Sequence, residues 1–311
     1  MSGIRSIFHG MKNLPAERLL MPGSPMCAGC GGLLALHEVL DVLGRSTVIV
    51  NAAGCMTLLA TYPFTPMAGR WLYTAMASAP AGAQGVRDAL DIQLAKGRLT
   101  TGEDLQVVVL SGDGSAYGMG LSSTSEAIGR GLDFLYLCYD NEGYGNTGQQ
   151  SSPATPHGAH TATEGGPIGH AGRKKDLFAI WAAHRPAYLA TVVGSEPLDL
   201  ARKIEKAKSL KGPRLIIALA PCPTGWGFEP QESVEIGRLA VRTGVWPLKE
   251  CIDGVVTHTK NPNPRLPVES YLVRQGRFSH LFVPERNGVA LAGIQAEVDR
   301  YWDEVATGGA R

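Results

Sequence analysis

Two sets of residues in this sequence have types and spacings that could do chemistry. The first is Gly112-Asp113-Gly114, just past an apolar run from Leu105 to Leu110, with Asn141, just past a second run from Phe134 to Cys138. Each run reads as a buried strand, and a glycine-rich helix start, Ser115 to Gly120, lies between them. In an open parallel sheet, ligands sit outside the carboxyl ends of the strands. A carboxylate and a carboxamide brought together there suit a hard cation such as Mg²⁺, which takes oxygen ligands and holds substrate phosphates. Gly112, Gly114 and the turn into Ser115 would let the backbone approach a diphosphate, whose charge a helix start favours. A lone Gly-Asp-Gly would mean only a tight strand-to-helix turn. The Asn at the next strand end, in an equally glycine-rich loop, favours a diphosphate–Mg²⁺ site.

The second set is Cys27, Cys30, Cys55 and Cys222. Cys27-Ala28-Gly29-Cys30 opens a helix, Cys55 follows a strand, and Cys222 lies between Pro221 and Pro223 after another strand. Four thiolates projecting from such turns could share one site, which implies zinc or an iron–sulfur cluster. Structural zinc sites usually pair two short-range knuckles, whereas here two ligands come singly from far apart. A thioredoxin-like dithiol would need the CxxC to follow a leading strand, and it does not. The pattern favours a cluster and leaves zinc as the alternative. Cys138, within an apolar strand, and Cys251, near the carboxyl terminus, read as packing residues.

The elements that must position these groups alternate. A helix carries Leu33, Leu36, Val39 and Leu40 on one face, and a buried strand, Thr47 to Asn51, follows it. After the unit around Asp113 comes a long polar loop, Ser151 to Ala171, with His157, His160 and His170 at spacings that fit no metal-binding pair. Then come a helix from Leu177 to His184, a strand from Ala187 to Val193, a charged amphipathic helix from Leu198 to Ser209, and a strand from Arg214 to Ala220. This is the pattern of an α/β, doubly wound, mostly parallel sheet. The expected organisation is an arm over 1–24, one α/β domain over 25–243, and a proline-rich second arm or cap over 244–311, ending in a helix from Val289 to Val305. With 29 basic against 28 acidic residues and no long charged block, nucleic acid and membrane surfaces lack their usual electrostatic footprint. No apolar run approaches a membrane span and no signal pattern opens the chain, so a cytoplasmic protein is expected, in which six cysteines serve metal or redox chemistry rather than disulfides.

Met26-Cys27-Ala28-Gly29-Cys30-Gly31, Ala53-Gly54-Cys55, Gly112-Asp113-Gly114 and Tyr144-Gly145-Asn146-Thr147-Gly148-Gln149-Gln150-Ser151-Ser152 occur in that order. Together they resemble the thiamine-diphosphate-binding beta subunit of 2-oxoacid:ferredoxin oxidoreductases, most closely the pyruvate type, over about residues 22–230. The resemblance implies that Asp113, Asn141 and the backbone carbonyl of Gly143 hold the Mg²⁺ of thiamine diphosphate. It places Asn146, with Thr147 beside it, at the reacting end of the cofactor, and makes Cys27, Cys30, Cys55 and Cys222 the ligands of one [4Fe–4S] cluster. The implied reaction is oxidative decarboxylation of a small 2-oxoacid, pyruvate or oxalate, with electrons leaving singly through the cluster to ferredoxin. Coenzyme A would take the acyl group where one is formed. The family's alpha subunit carries the Glu that activates thiamine and much of the substrate pocket, and gamma- or delta-type subunits carry the ferredoxin domain. This chain would therefore act only in a hetero-oligomer. Arg70, which follows the unusual segment Cys55 to Pro66, reads as a surface residue, or as a partner for a second substrate carboxylate as in oxalate. A non-oxidative thiamine decarboxylase or carboligase would share the Asp113–Asn141 site without using the cysteines. A zinc-stabilised binding module would use the cysteines alone.

Overall fold

The computed structural model describes residues 18–100 and 104–308. Its strands β1 (Thr47–Ala52), β2 (Arg70–Thr74), β3 (Gln106–Gly112), β4 (Phe134–Asp140), β5 (Tyr188–Val193), β6 (Pro213–Leu219), β7 (Lys249–Ile252) and β8 (Val255–His258) form one sheet. The order across it is β2-β1-β3-β4-β6-β5-β7-β8. The first six strands pair in parallel, and β7 pairs antiparallel with both β5 and β8, giving the mostly parallel α/β sheet expected.

The central strands are apolar on both faces because both faces are covered. In β3, Val107 and Val109 enter one core while Val108 and Leu110 enter the other. Helices α1 (Gly31–Leu43) and α5 (Pro197–Ser209) cover the second face through Leu36, Val39, Leu40, Leu200 and Ile204. The first face is covered by α2 (Ala79–Ala95), α3 (Leu121–Gly129), α4 (Leu177–Ala182), α7 (Ser233–Arg242) and the long α9 (Gly288–Ala306), together with short α8 (Glu269–Leu272). A four-residue helix, α6 (Pro223–Trp226), starts at Cys222.

Three features depart from the expected organisation. Residues 1–17 of the expected arm lie outside the described residues, but Leu19 and Leu20 are core residues, and Leu20 bridges Met67. The segment after 243 does not stand apart, because β7 pairs with β5 and carries β8 with it as the sheet edge. Its charged and β-branched residues alternate in and out over only four positions per strand, too short a signal to separate from loop. Strand β2 was also not anticipated: its side chains are mostly exposed, so it lacks the apolar run that marked its neighbours.

Candidate functional site

Strands β1, β3, β4 and β6 lie side by side, and their carboxyl ends lead into Cys55, Asp113, Asn141 and Cys222. Parallel pairing places those ends on one edge of the sheet, where loops leave it. Residues far apart in sequence therefore meet there.

One half of the site is sulfur-rich. A cavity of about 260 Å³ is lined by Cys27, Cys30, Cys55 and Cys222, with Met26, Met56, Leu58 and Asn146. Cys30 caps α1, its Sγ accepting from the Leu33 N–H at 3.4 Å, and Cys222 caps α6 in the same way from Gly225 at 3.3 Å. Cys55 opens a 3₁₀ turn, Cys55–Ala60. The Cys27–Cys30 loop is held against the rest of the site by the Gly31 N–H, which donates to the Pro221 carbonyl at 3.0 Å, and by Ser233 Oγ, which donates to the Gly29 carbonyl at 2.5 Å. Gly29 has φ +70°, and a Cβ on it would lie 2.4 Å from the Pro230 carbonyl oxygen, so the loop closes only with glycine there. Burial, then the neighbouring Cys222 and Cys27, pushes the Cys30 thiol up to about 11. Burial, then the other three thiols and Asp113, pushes Cys55 up to about 12. The Cys222 thiol is raised by burial as well. A shared cation would offset that mutual opposition and stabilise all of them as thiolates. Among the described residues, no three His, Cys, Asp or Glu side chains are closed to metal-binding distances. The donor set, soft sulfur in largely apolar surroundings, fits a sulfide cluster or zinc by its chemistry.

The other half is oxygen-rich. The Asn141 amide end lies 2.7 Å from an Asp113 carboxylate oxygen and 3.2 Å from the Gly143 carbonyl oxygen. With its nitrogen inward, the amide donates to both. With its oxygen inward, three acceptors converge, an arrangement that a hard cation satisfies. Asn141 also lines the sulfur cavity, together with Cys222 and the other three thiols. Asn141 is thus common to both halves. Burial, then Asp140, raises the Asp113 carboxyl well above the usual carboxylate range, against the opposing effect of a hydrogen bond from the Ser152 hydroxyl. A divalent cation would reverse that shift. Gly114 is packed under Tyr144: a Cβ there would lie 2.1 Å from the ring. Gly112 is likewise covered by Tyr139. Ser115 is buried and spent on structure, its hydroxyl donating to the Met76 carbonyl at 2.5 Å.

Asn146 and Thr147 sit on the exposed 3₁₀ turn Gly145–Thr147 above these groups. Asn146 faces the cavity, while the Thr147 hydroxyl donates to the Tyr144 carbonyl at 3.2 Å. The three loop histidines do not converge. His157 Nδ1 lies 3.3 Å from the Ala171 carbonyl oxygen, His160 stacks on His280 with ring centroids 3.7 Å apart, and His170 pairs with Glu164. Arg70 is a surface residue at the amino end of β2, away from the site, and donates to the Arg45 carbonyl at 2.9 Å. It cannot meet a substrate carboxylate there. Cys138 and Cys251 are buried in β4 and β7.

Sequence reasoning assigned no role to the charges beneath the site. Asp140 ends β4 with no exposure, and Glu142 follows it, also buried. Both are paired by Lys174, and Glu142 also by Arg277. An acid at the end of so apolar a strand required a buried cation, and that was the available signal.

This sheet and site define a thiamine-dependent enzyme domain. The family model for the C-terminal TPP binding domain of thiamine pyrophosphate enzymes matches residues 52–218. A solved 2-oxoglutarate:ferredoxin oxidoreductase from Magnetococcus marinus shares the fold, with TM-score 0.54 and 21% identity over 73% of this chain and 79% of that one. Among curated proteins, pyruvate synthase subunit PorB of Methanothermobacter thermautotrophicus is 43% identical over 94% of this chain and 99% of its own length. Subunit PorB of Thermotoga maritima is 36% identical over 92% and 90%. Ketoisovalerate oxidoreductase subunit VorB of Pyrococcus horikoshii is 39% identical over 86% and 88%. The chain belongs to the beta subunits of ferredoxin-linked 2-oxoacid oxidoreductases, and its cofactor is thiamine diphosphate. Among the described residues, no helix is long and apolar enough to cross a membrane.

Proposed function

We propose that this chain is the catalytic beta subunit for oxidative decarboxylation of pyruvate, with Mg²⁺ and one [4Fe–4S] cluster beside the thiamine diphosphate. The observation that carries the reading is the shared edge: Asn141 reaches Asp113 and the Gly143 carbonyl on one side and lines the cavity of the four thiols on the other. Asp113, Asn141 and the Gly143 carbonyl would hold Mg²⁺ and through it the diphosphate. Cys27, Cys30, Cys55 and Cys222 would hold the cluster. Thiamine diphosphate supplies the electron sink that lets CO₂ leave a 2-oxoacid. This chain's residues fix the diphosphate, present Asn146 to the reacting end, and keep a one-electron acceptor within short range. The non-oxidative alternative leaves four thiols at that edge without a task.

Pyruvate is favoured because relatives named as pyruvate synthase subunits match across nearly the whole chain. Oxalate has lost Arg70 as its support. The same reading brings in an alpha subunit that supplies the thiamine-activating Glu and much of the substrate pocket, gamma- or delta-type ferredoxin-domain subunits, ferredoxin as acceptor, and coenzyme A as acyl acceptor. All six cysteines are free, which suits a reducing cytoplasm. The test is viologen reduction by the anaerobically isolated complex, with pyruvate, oxalate, 2-oxoglutarate or phenylglyoxylate, with and without coenzyme A. Pyruvate- and coenzyme A-dependent reduction is expected. Reduction by another acid alone would overturn the substrate, and none from a complex holding thiamine and iron would overturn the oxidative reaction.

A further inference from the structure

The charge network under β4 lies outside the sulfur cavity and has no part in the roles assigned above. Lys174 Nζ lies 2.6 Å from Asp140 Oδ2 and 2.8 Å from Glu142 Oε1, and Arg277 Nη2 lies 2.7 Å from Glu142 Oε2. Tyr117 donates its hydroxyl proton to Asp140 at 2.5 Å. Arg277 is itself buried, with its guanidinium 3.8 Å from the centre of the Trp226 ring. Taking so many charges out of water is costly, and their mutual pairing is what permits it. Such an arrangement is a poor way merely to stabilise a fold.

Its centre shows what it does. Glu142 stands between Asn141 and Gly143, and its φ is +61°, the left-handed region that a residue with a side chain rarely adopts. Everything around Glu142 holds that conformation. Its N–H donates to Asp140 Oδ1 at 3.1 Å, and its carbonyl accepts from Thr155 Oγ1 at 3.0 Å. Its carboxylate is gripped by Lys174 on one side and Arg277 on the other. On the flank, Trp226 Nε1 donates to the Asn141 carbonyl at 2.8 Å. The reversal at Glu142 turns the Asn141 side chain and the Gly143 carbonyl toward the same point beside Asp113. Strained backbone of this kind persists where the surroundings over-determine it, and it clusters at ligand sites.

We propose that Glu142, Lys174 and Arg277 are positioning residues for the Mg²⁺–diphosphate cradle, holding Glu142 left-handed so that Asn141 and Gly143 face one cation. The inference rests on reading Asp113, Asn141 and Gly143 as that cradle. It also gives the carboxyl-terminal segment a task, since Arg277 reaches the cofactor loop from beyond α8.

The test compares Glu142→Ala with Glu142→Gly in the assembled complex, reading Mg²⁺-dependent thiamine diphosphate binding by calorimetry and unfolding temperature alongside. Both variants remove the carboxylate, but only glycine adopts the left-handed conformation without strain. Alanine is expected to weaken binding about tenfold and glycine no more than about threefold, the difference being the strain left unsupported. If Glu142→Ala does not assemble, Glu142→Gln takes its place, with a loss between those two. Equal losses in the alanine and glycine variants would mean that the charge itself matters, and would overturn the positioning role. Unchanged binding with a lowered unfolding temperature would overturn it too, leaving only a structural network. In either case the wild-type complex would still bind thiamine diphosphate with Mg²⁺. If it does not, the cradle reading fails and this inference with it.

Discussion

Replacing Gly29 with alanine should empty the sulfur half of the site while sparing the oxygen half. The new Cβ would lie 2.4 Å from the Pro230 carbonyl oxygen and 2.8 Å from both Pro230 Cα and Ser233 Oγ. These are largely backbone atoms, so the loop must move as a unit. Three costs follow. A left-handed alanine is worth about 1 kcal/mol of strain, and overpacking adds about 1–3 kcal/mol. Losing the Ser233 hydroxyl's bond to the Gly29 carbonyl adds about 1 kcal/mol. The sum, roughly 3–5 kcal/mol, would be relieved by swinging the Cys27–Cys30 loop away from Pro221 and α7. That opens the cysteine quartet, while Asp113, Asn141 and Gly143, just past the ends of β3 and β4, keep their places. Anaerobic iron and acid-labile sulfide analysis should show a loss of most of the iron per chain. Mg²⁺-dependent thiamine diphosphate binding, measured on the same preparation, should stay within about twofold of wild type, because the sites do not share this loop. Full iron content at an unchanged unfolding temperature would refute the argument that this loop templates the thiols.

Cys55→Ser should abolish the visible absorbance of the cluster and 2-oxoacid-dependent dye reduction, yet leave thiamine diphosphate bound; retained colour would remove Cys55 from the ligand set. Gly114→Ala, by displacing Tyr144, should weaken thiamine diphosphate binding about tenfold at unchanged iron content, and equal binding would show that the ring moves freely. Burial, and then Asp41, pushes the Glu38 carboxyl up to about 8, and Glu38 Oε2 finds no partner among the described residues. A carboxyl raised on folding costs nothing below its unfolded value near ~4.3 and costs most above its folded value, so stability falls as pH rises between the two. Glu38→Gln should therefore raise the unfolding temperature more at about pH 8.5 than at about pH 5, and a gain independent of pH would contradict the assignment.

The site was legible where chemistry coincides with local pattern. Asp113 and Asn141 could be found because each follows an uninterrupted apolar strand, and Cys27, Cys30, Cys55 and Cys222 because thiols at turns are conspicuous. What the sequence could not show is adjacency. Nothing in the chain says that β6 lies beside β4, so the meeting of Asn141 and Cys222 at one cavity emerges only from the strand order. Glu142 was invisible for a different reason: its importance lies in a backbone angle and in two cations, Lys174 and Arg277, that come from distant loops. The carboxyl-terminal segment misled because β7 and β8 are too short and too polar to resemble the parallel strands before them. For Arg70 the surface reading holds and the carboxylate-partner reading does not, because nearness in sequence to Cys55 does not bring the amino end of β2 to the site.

The most direct test of the central claim is a single-turnover experiment on the anaerobic, oxidised complex. Pyruvate is added without any external acceptor, and CO₂ release and the visible absorbance of the cluster are followed together. The account predicts that the two proceed in step, with the absorbance bleaching as CO₂ appears and both lost in Cys55→Ser. CO₂ released while the visible spectrum stays unchanged would contradict it, and would assign the cysteines a structural task and the site a non-oxidative one.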